Sequence, residues 1–500
     1  MKTLKRTILL LLSLVLLTAA LCGCGGGKSE KAESLTVGIA QDLDDSLDPH
    51  KMTAAGTREV LFNVFEGLVK PDTNGNLVPA VAESYVVSPE GDTFTFTLRK
   101  GVKFHNGSTV TAEDVCYSLN RVAGTETGEP LIAAFSAVAS IESPDADTVV
   151  VRTGAPYLEF LSYLTAAIIP DGSDPAAGLI GTGPYRYVSR QAQENIVLER
   201  FDDYWGTKAN IQKVTFKIIE NAEMLVMSLK SGAIDLCAHL TSAQAGELTK
   251  GFTIAEGSMN LVQAMYLNNA EGPLQDVRVR QALCYAVDKQ AVLDFVANGK
   301  GSLLGSSMYP AFGKYYEPLE NSYTPDVEKA KSLLAEAGYP NGFDLTITVP
   351  GNYTIHVDTA QVIAEQLKAV GVNCRIDTVE WSTWLEKVYQ NRQYEATVVG
   401  FDTSAAMTAQ SLLARFESTS KKNVCNFASE AYDSVYAAAI AATDETEQIA
   451  LYKQAQRILS EEAAAVYIQD PADLVAMREG VSGYSFYPIY VMDLSTLKIG

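Results

Sequence analysis

Residues 343–379 constrain the fold more than any other stretch. "FDLTITV" (343–349) alternates Phe343, Leu345, Ile347 and Val349 with polar residues, the two-residue period of a strand. Residues 357–370 then place Val357, Ala360, Ile363, Leu367 and Val370 along one stripe of a helix. Gly371 stops that helix, and Val372, Cys374 and Ile376 alternate again. Parallel strands need a long connection to return over the sheet, so strand, helix, strand at this spacing predicts a parallel βαβ unit. A helix over 381–391 and a strand over Ala396–Val399 are expected to extend it. Upstream, "TPDVEKAKSLLAEAG" reads as a further helix, with Pro325 near its first turn and Gly338 just past its end. The chain is expected to be α/β.

One such unit uses little of a 500-residue chain. That length exceeds what a single core serves and predicts two or three lobes. No fixed-period repeat and no low-complexity linker interrupts the body of the sequence, so the lobes are expected to be woven together by several crossings. Elsewhere, "TFTFTL" (93–98) alternates as a strand. In "TAEDVCYSLNRV", Thr111 and Asp114 form a capping box ahead of the apolar Val115, Leu119 and Val122.

The N-terminus sets the compartment. Lys2, Lys5 and Arg6 precede an apolar run from Ile8 to Leu17, and Gly23–Gly27 follow. A spanning helix needs about 20 apolar residues; a basic start and a shorter apolar run read as a signal peptide. Cys24 follows the small Gly23 with Leu21 three residues before it, the arrangement that lipoprotein processing requires, whereas Cys22 follows the bulky Leu21. Residues 1–23 are therefore expected to be removed and Cys24 to carry a lipid anchor, with 24–34 as a flexible tether. Secretion with free release is the alternative. Anchoring would place the chain on the extracytoplasmic face of a bacterial cell membrane. The formal net charge is −21, and the first 23 residues hold three basic and no acidic side chains, so the mature chain is more acidic still. Such a surface argues against nucleic acid and against docking on anionic lipid by charge.

Chemistry-bearing motifs are absent from the sequence. Cys116, Cys237, Cys284, Cys374 and Cys425 are scattered, odd in number and never spaced as CxxC. They read as small buried hydrophobes, with one disulfide plus a spare thiol as the alternative. His50, His105, His239 and His356 are isolated from one another and from cysteine, so no metal-ligand spacing exists. There is no GxSxG, HExxH, P-loop or GxGxxG. Nothing in the sequence speaks for catalysis, a metal or a cofactor.

Open parallel sheets bind ligands beyond the carboxyl ends of their strands. The segment leaving the strand at 396–399 is "GFDTSAAMT", with Phe401, Asp402 and Ser404, and Trp381 heads the preceding helix. Both positions are expected at one crevice. Trp381 reads equally as a core anchor, and Asp402 equally as a cap or turn residue.

At this point the chain resembles extracellular solute-binding protein family 5, the peptide- and nickel-type receptors of ABC importers. The matching stretches run nearly end to end: "SLDPH" (46–50), "FEGLV" (65–69), "LRKGVKFHNGSTVTAEDVCYSLNRV" (98–122), "GTGPY" (181–185) and "LERFDDYWG" (198–206). They continue with "YLNNAEGPLQDVRVRQALCYAVDKQ" (266–290), "DVEKAKSLLAEAGYPNG" (326–342), "VEWSTWLEKV" (379–388) and "SFYPI" (485–489).

The resemblance implies a two-lobed, periplasmic-binding-protein-like fold of type II with an inserted subdomain and lobes joined by hinge strands. The first lobe would take 35–57, 170–267 and 481–500, the inserted subdomain 58–169, and the second lobe 268–480. Hinge crossings would fall near Tyr266–Asn268 and Met477–Gly480, which puts Tyr266 and Asn268 beside the cleft as candidates for solute contact. The implied role is capture of a small solute, a di- or oligopeptide first, and delivery to permease and ATPase subunits of an importer by a monomeric receptor. In peptide-binding members a Trp corresponding to Trp381 lines the cavity, as does an aromatic at 401, here Phe401. Those members carry an Asp for the ligand's amino group where this chain has Ser404, and Asp402 is the nearest carboxylate to replace it. An opine-like or metal-chelate solute, or a surface receptor or adhesin without transport, are the alternatives.

Overall fold

The computed structural model describes residues 34–500 except 44–46, 53, 176–177, 352 and 404–405. The expected signal peptide, Cys24, nearly all of the tether and Ser404 lie outside the described residues.

The βαβ unit forms as the spacing predicts. Strands Asp344–Pro350 and Asn373–Val379 run parallel, with Leu345 opposite Cys374 and Ile347 opposite Ile376. Helix Thr354–Leu367 crosses between them and buries Ala360, Ile363 and Leu367 against the sheet. Gly371 holds φ +82°, and a Cβ there would lie 2.8 Å from the Asn341 carbonyl oxygen, so this turn requires glycine twice over. The next strand, Ala396–Phe401, runs parallel to Asp344–Pro350 and antiparallel to Val262–Leu267. Alternation along it separates two cores. Ala396 and Val398 face the crossover helix, whereas Val399 and Phe401 face the cluster around Tyr266, Trp384 and Tyr432. The expected helix over 381–391 is one α turn, Trp381–Trp384, continued by a π-helical stretch, Leu385–Gln390.

One strand joins the lobes. Ala465–Arg478 pairs through its first residues with Val262–Leu267 (Tyr266 opposite Ala465, Ala264 opposite Tyr467). Its last residues pair with Phe252–Ser258 and Leu236–Leu240, which belong to the other half of the sheet with Ser34–Ile39 and Lys213–Ile218. The change of partner occurs at 470–472. Pro471 has no N–H to give to a ladder, and it sits where the strand leaves one set of partners for the next. Met259 N–H donates to the Pro471 carbonyl at 3.0 Å, so the other crossing, at 259–261, lies alongside. This corrects the expected crossings: Tyr266–Asn268 lies inside the second lobe and Met477–Gly480 at the far end of the first. The stretch "AVYIQDPADLVAMR" is one strand in sequence, and only its partners show that it serves two lobes.

The inserted segment carries its own sheet, in the order Ala82–Val87, Thr93–Leu98, Thr148–Thr153, Val138–Asp145, all antiparallel. "TFTFTL" buries Phe94, Phe96 and Leu98 beneath helix Ala112–Ala123. The capping box is present: Asp114 N–H donates to Thr111 Oγ1 at 3.2 Å and Thr111 N–H to Asp114 Oδ2 at 2.8 Å. Among the described residues the five cysteines are free; Cys237, Cys284 and Cys425 are buried, Cys116 and Cys374 half-buried. No helix among them is long and apolar enough to cross a membrane.

Candidate functional site

A cavity of about 390 Å³ opens where helix Ala55–Leu61, the inserted subdomain, the C-terminal segment and the loop after strand Ala396–Phe401 meet. Arg58, Phe62, Tyr163, Met407, Tyr487 and Tyr490 are among its walls, an aromatic and apolar lining that also carries Lys51, Lys70, Glu66 and Asp493. That is the composition expected of a pocket for a small organic molecule.

Across the junction Arg58 faces Asp402, Nη2 to Oδ2 at 3.9 Å, with side chains 14% and 34% exposed. This is a Coulomb contact rather than a hydrogen bond. Arg58 comes from the first part of the chain and Asp402 from the second lobe, so the pair spans the cleft. Arg415 lies over the Phe401 ring at 4.3 Å and packs this loop from behind.

The residues singled out from sequence separate into three groups. Trp381 is 36% exposed, stacked on Trp384 at 5.0 Å with Tyr353 edge-on at 5.4 Å. Trp384 is the core anchor, buried with Nε1 donating to Thr397 Oγ1 at 3.0 Å. Asp402 reaches the junction through Arg58. Phe401, Tyr266 and Asn268 point inward instead. Phe401 packs on Tyr266 at 4.8 Å, and the Tyr266 hydroxyl donates to the Val262 carbonyl at 3.0 Å. Asn268 Nδ2 donates to the Arg392 and Tyr394 carbonyls at 3.1 and 2.9 Å. Its Oδ1 accepts from Asn426 Nδ2 at 2.9 Å. With polar atoms bonded internally and almost no exposed surface, Tyr266 and Asn268 are core residues, which corrects their expected place at the cleft. The cavity wall includes Ala406 and Met407 but not Trp381, Phe401 or Asp402.

Behind the cavity, His239 is held between two buried carboxylates: Nε2 to Glu59 Oε1 at 2.9 Å and Nδ1 to Asp473 Oδ1 at 3.0 Å. Its ring stacks on Tyr490 at 4.4 Å. Burial alone would push the imidazole down. The charges of Asp473 and Glu59 outweigh that and hold it well above its ordinary value. Asp473 lies just after the crossing at 470–472, so this cluster pins the joining strand to helix Ala55–Leu61.

Arg58, Tyr163 and Tyr490 were not singled out from sequence. Arg58 stands between Thr57 and Glu59 in "GTREVLFNVF", a cation that helical spacing alone cannot assign to a wall.

The family described as "Bacterial extracellular solute-binding proteins, family 5 Middle" matches residues 76–423. The dipeptide-binding protein of Escherichia coli K12 is 28% identical over 453 residues, 83% of this chain and 84% of its own. Among solved structures, the binding protein AgaA of A. tumefaciens R10, in complex with agropinic acid, is 26% identical, with TM-score 0.76 over 93% of this chain and 99% of its own. The dipeptide-binding protein of Pseudoalteromonas sp. SM9913, in complex with Met-Leu, shares the fold with TM-score 0.81 at 22% identity, over 93% of this chain and 100% of its own.

Proposed function

The chain belongs to the bacterial extracellular solute-binding proteins of family 5, and on that premise we propose that its solute is a di- or oligopeptide held between the two lobes. The observation that carries this is the cleft itself. Its aromatic cavity is walled by elements from both sides of the crossing, and Arg58 and Asp402 bring opposite charges to the same junction. A peptide with free ends offers a partner to each. Closure then works by population: the solute stabilises the form in which both lobes touch it, by as much as it binds that form better. The relative named a dipeptide-binding protein supports the choice of solute.

A second reading is a non-peptide solute of opine type. Ser404 stands where the resemblance implies a carboxylate for the peptide amine, and the relative AgaA was solved with agropinic acid. Under either reading the protein binds and releases without turnover, as a monomer serving the permease and ATPase of an importer. The test is one-to-one binding of free Met-Leu with the lobes closing on it and the dipeptide recovered intact. Cleavage products would mark a hydrolase instead.

The membrane attachment is also a proposal. Its support is the run from Ile8 to Leu17 and the Gly23–Cys24 pair. Acyl chains on Cys24 would hold the mature chain at the outer face of the membrane, two chains being what stable anchoring needs. Cys24→Ala is expected to abolish lipid labelling and leave the chain unprocessed or shed from the membrane fraction, with Cys22→Ala behaving as wild type. Loss of labelling in Cys22→Ala alone would move the anchor to Cys22.

A further inference from the structure

Glu159 stands on the 3-10 helical segment Leu158–Thr165 of the inserted subdomain, whose Phe160 and Leu164 are rooted in that subdomain's own core. Its carboxylate is spent elsewhere. Oε1 accepts the Ala409 N–H at 2.6 Å, and Oε2 accepts the Gln410 N–H at 3.2 Å and the Tyr452 hydroxyl at 2.6 Å. All three donors belong to the second lobe. Beside them, the Tyr163 and Thr408 hydroxyls meet at 3.3 Å across the same contact. Glu159 is 6% exposed, and Thr408 and Tyr452 are fully enclosed.

A carboxylate shut away from water is tolerated only while donors face it. Two of the donors, Ala409 and Gln410, sit just after the cavity-lining Ala406 and Met407. A contact between subdomain and second lobe that forms only on closure contributes nothing when the cleft is open and its full strength when the cleft is closed. It therefore weights the equilibrium toward closure without touching the solute.

We propose that Glu159 is a positioning residue that clasps the second lobe to the inserted subdomain, seating Ala406 and Met407 against the cavity and slowing the escape of captured solute. The proposal rests on the solute-capture reading above. A merely structural role would have Glu159 bonded in the open and closed forms alike, and the two roles differ in what the solute-free protein does.

The experiment uses the full chain, wild type, Glu159→Ala and Tyr452→Phe, with and without the dipeptide Met-Leu. Calorimetric titration should show Met-Leu bound roughly 30-fold or more weakly by Glu159→Ala, because the Ala409 and Gln410 N–H groups and the Tyr452 hydroxyl lose their buried acceptor. The change should lie mainly in the dissociation rate. Tyr452→Phe keeps the ring in the core and removes one donor, so it should weaken binding roughly tenfold. It decides the matter should the alanine variant fail to fold. Hydrogen exchange at Ala409 and Gln410 should slow when Met-Leu is added to wild type and stay fast in Glu159→Ala. The solute-free melting temperatures of the three proteins should coincide. Unchanged affinity and exchange in the variants would overturn the clasp, as would a solute-free melting temperature that falls as far as the solute-bound one. If Met-Leu binds none of the three, the peptide reading fails separately. The clasp is then judged on the solute-free protein: equal exchange at 409–410 in wild type and Glu159→Ala is the expected result, and slower exchange in wild type marks a bond made in the open form as well and overturns it.

Discussion

Asp402→Asn should weaken the binding of a free dipeptide by roughly 30-fold to several-thousand-fold and leave its N-acetylated form almost unaffected. The substitution keeps the shape and removes the charge. A peptide ammonium loses its hydration when the lobes close, and an unpaired buried charge is costly. Truncating one partner of such a pair costs about 2–5 kcal/mol, which the affinity scale converts to the range stated. In the structure Asp402 already faces Arg58 at 3.9 Å, with 34% of its side chain exposed. That geometry leaves carboxylate surface open to a second cation, and a solute carboxylate could engage Arg58 in exchange. Calorimetry with Met-Leu and N-acetyl-Met-Leu on both proteins separates the roles. Wild type binding the two peptides equally would show that no amine is read. Equal losses for both peptides in Asp402→Asn would reduce Asp402 to a cross-cleft partner of Arg58 and favour the opine-type solute.

Asp473→Asn should be the most destabilising single substitution near the crossing. It removes one of two carboxylates facing His239, whose charged ring would then keep only Glu59. Breaking a buried ion pair by removing one partner costs about 3–5 kcal/mol, and here the strand affected is the one that joins the lobes. The same cluster predicts a pH dependence. Its folded-state value lies well above 6.5, the ordinary value for imidazole. Below 6.5 the proton is bound in folded and unfolded chains alike, and the cluster's stabilisation is fully present. As pH rises through the folded-state value the proton leaves and the stabilisation is lost. Asp470, lifted to about 7 by burial, also loses stabilisation as pH rises, but between about 4 and 7. Melting curves of wild type and His239→Gln from pH 5 to 9 isolate the histidine, because the difference between them should hold below about 6.5 and shrink as pH rises above it. A difference that stays constant across that range would remove the charge from His239.

Local rules reached the elements of this protein and stopped short of its joints. The period of Leu345, Ile347 and Val349, the stripe through Ala360, Ile363 and Leu367, and the Thr111–Asp114 box each depend on neighbours within a few residues, and each appears in the structure. The hinge depends on partners far away. Ala465–Arg478 is one continuous strand, and its division between lobes is set by pairing with segments some 200 residues upstream. Pro471 was the available signal, since a proline without a ladder donor marks a place where pairing changes. Tyr266 was misplaced for the same reason. Its strand is buried on both faces, so neither alternation nor hydropathy tells a cleft face from a core face. Trp381 and Trp384 were separable only by the turn between them: one continues inward to Thr397, the other ends at the surface. Glu159 carried a legible hint, a single acid within "PYLEFLSYL", although nothing local reveals that its donors lie in another lobe.

Capture of a solute by two lobes closing around it is the claim on which the rest depends. Small-angle scattering of the full chain across a titration with Met-Leu, with saturation established by calorimetry on the same samples, tests it most directly. The radius of gyration is expected to fall with occupancy and level off at one dipeptide per chain. A radius unchanged at full occupancy would contradict closure, and with it the parts that Asp402 and Glu159 play in holding the lobes together.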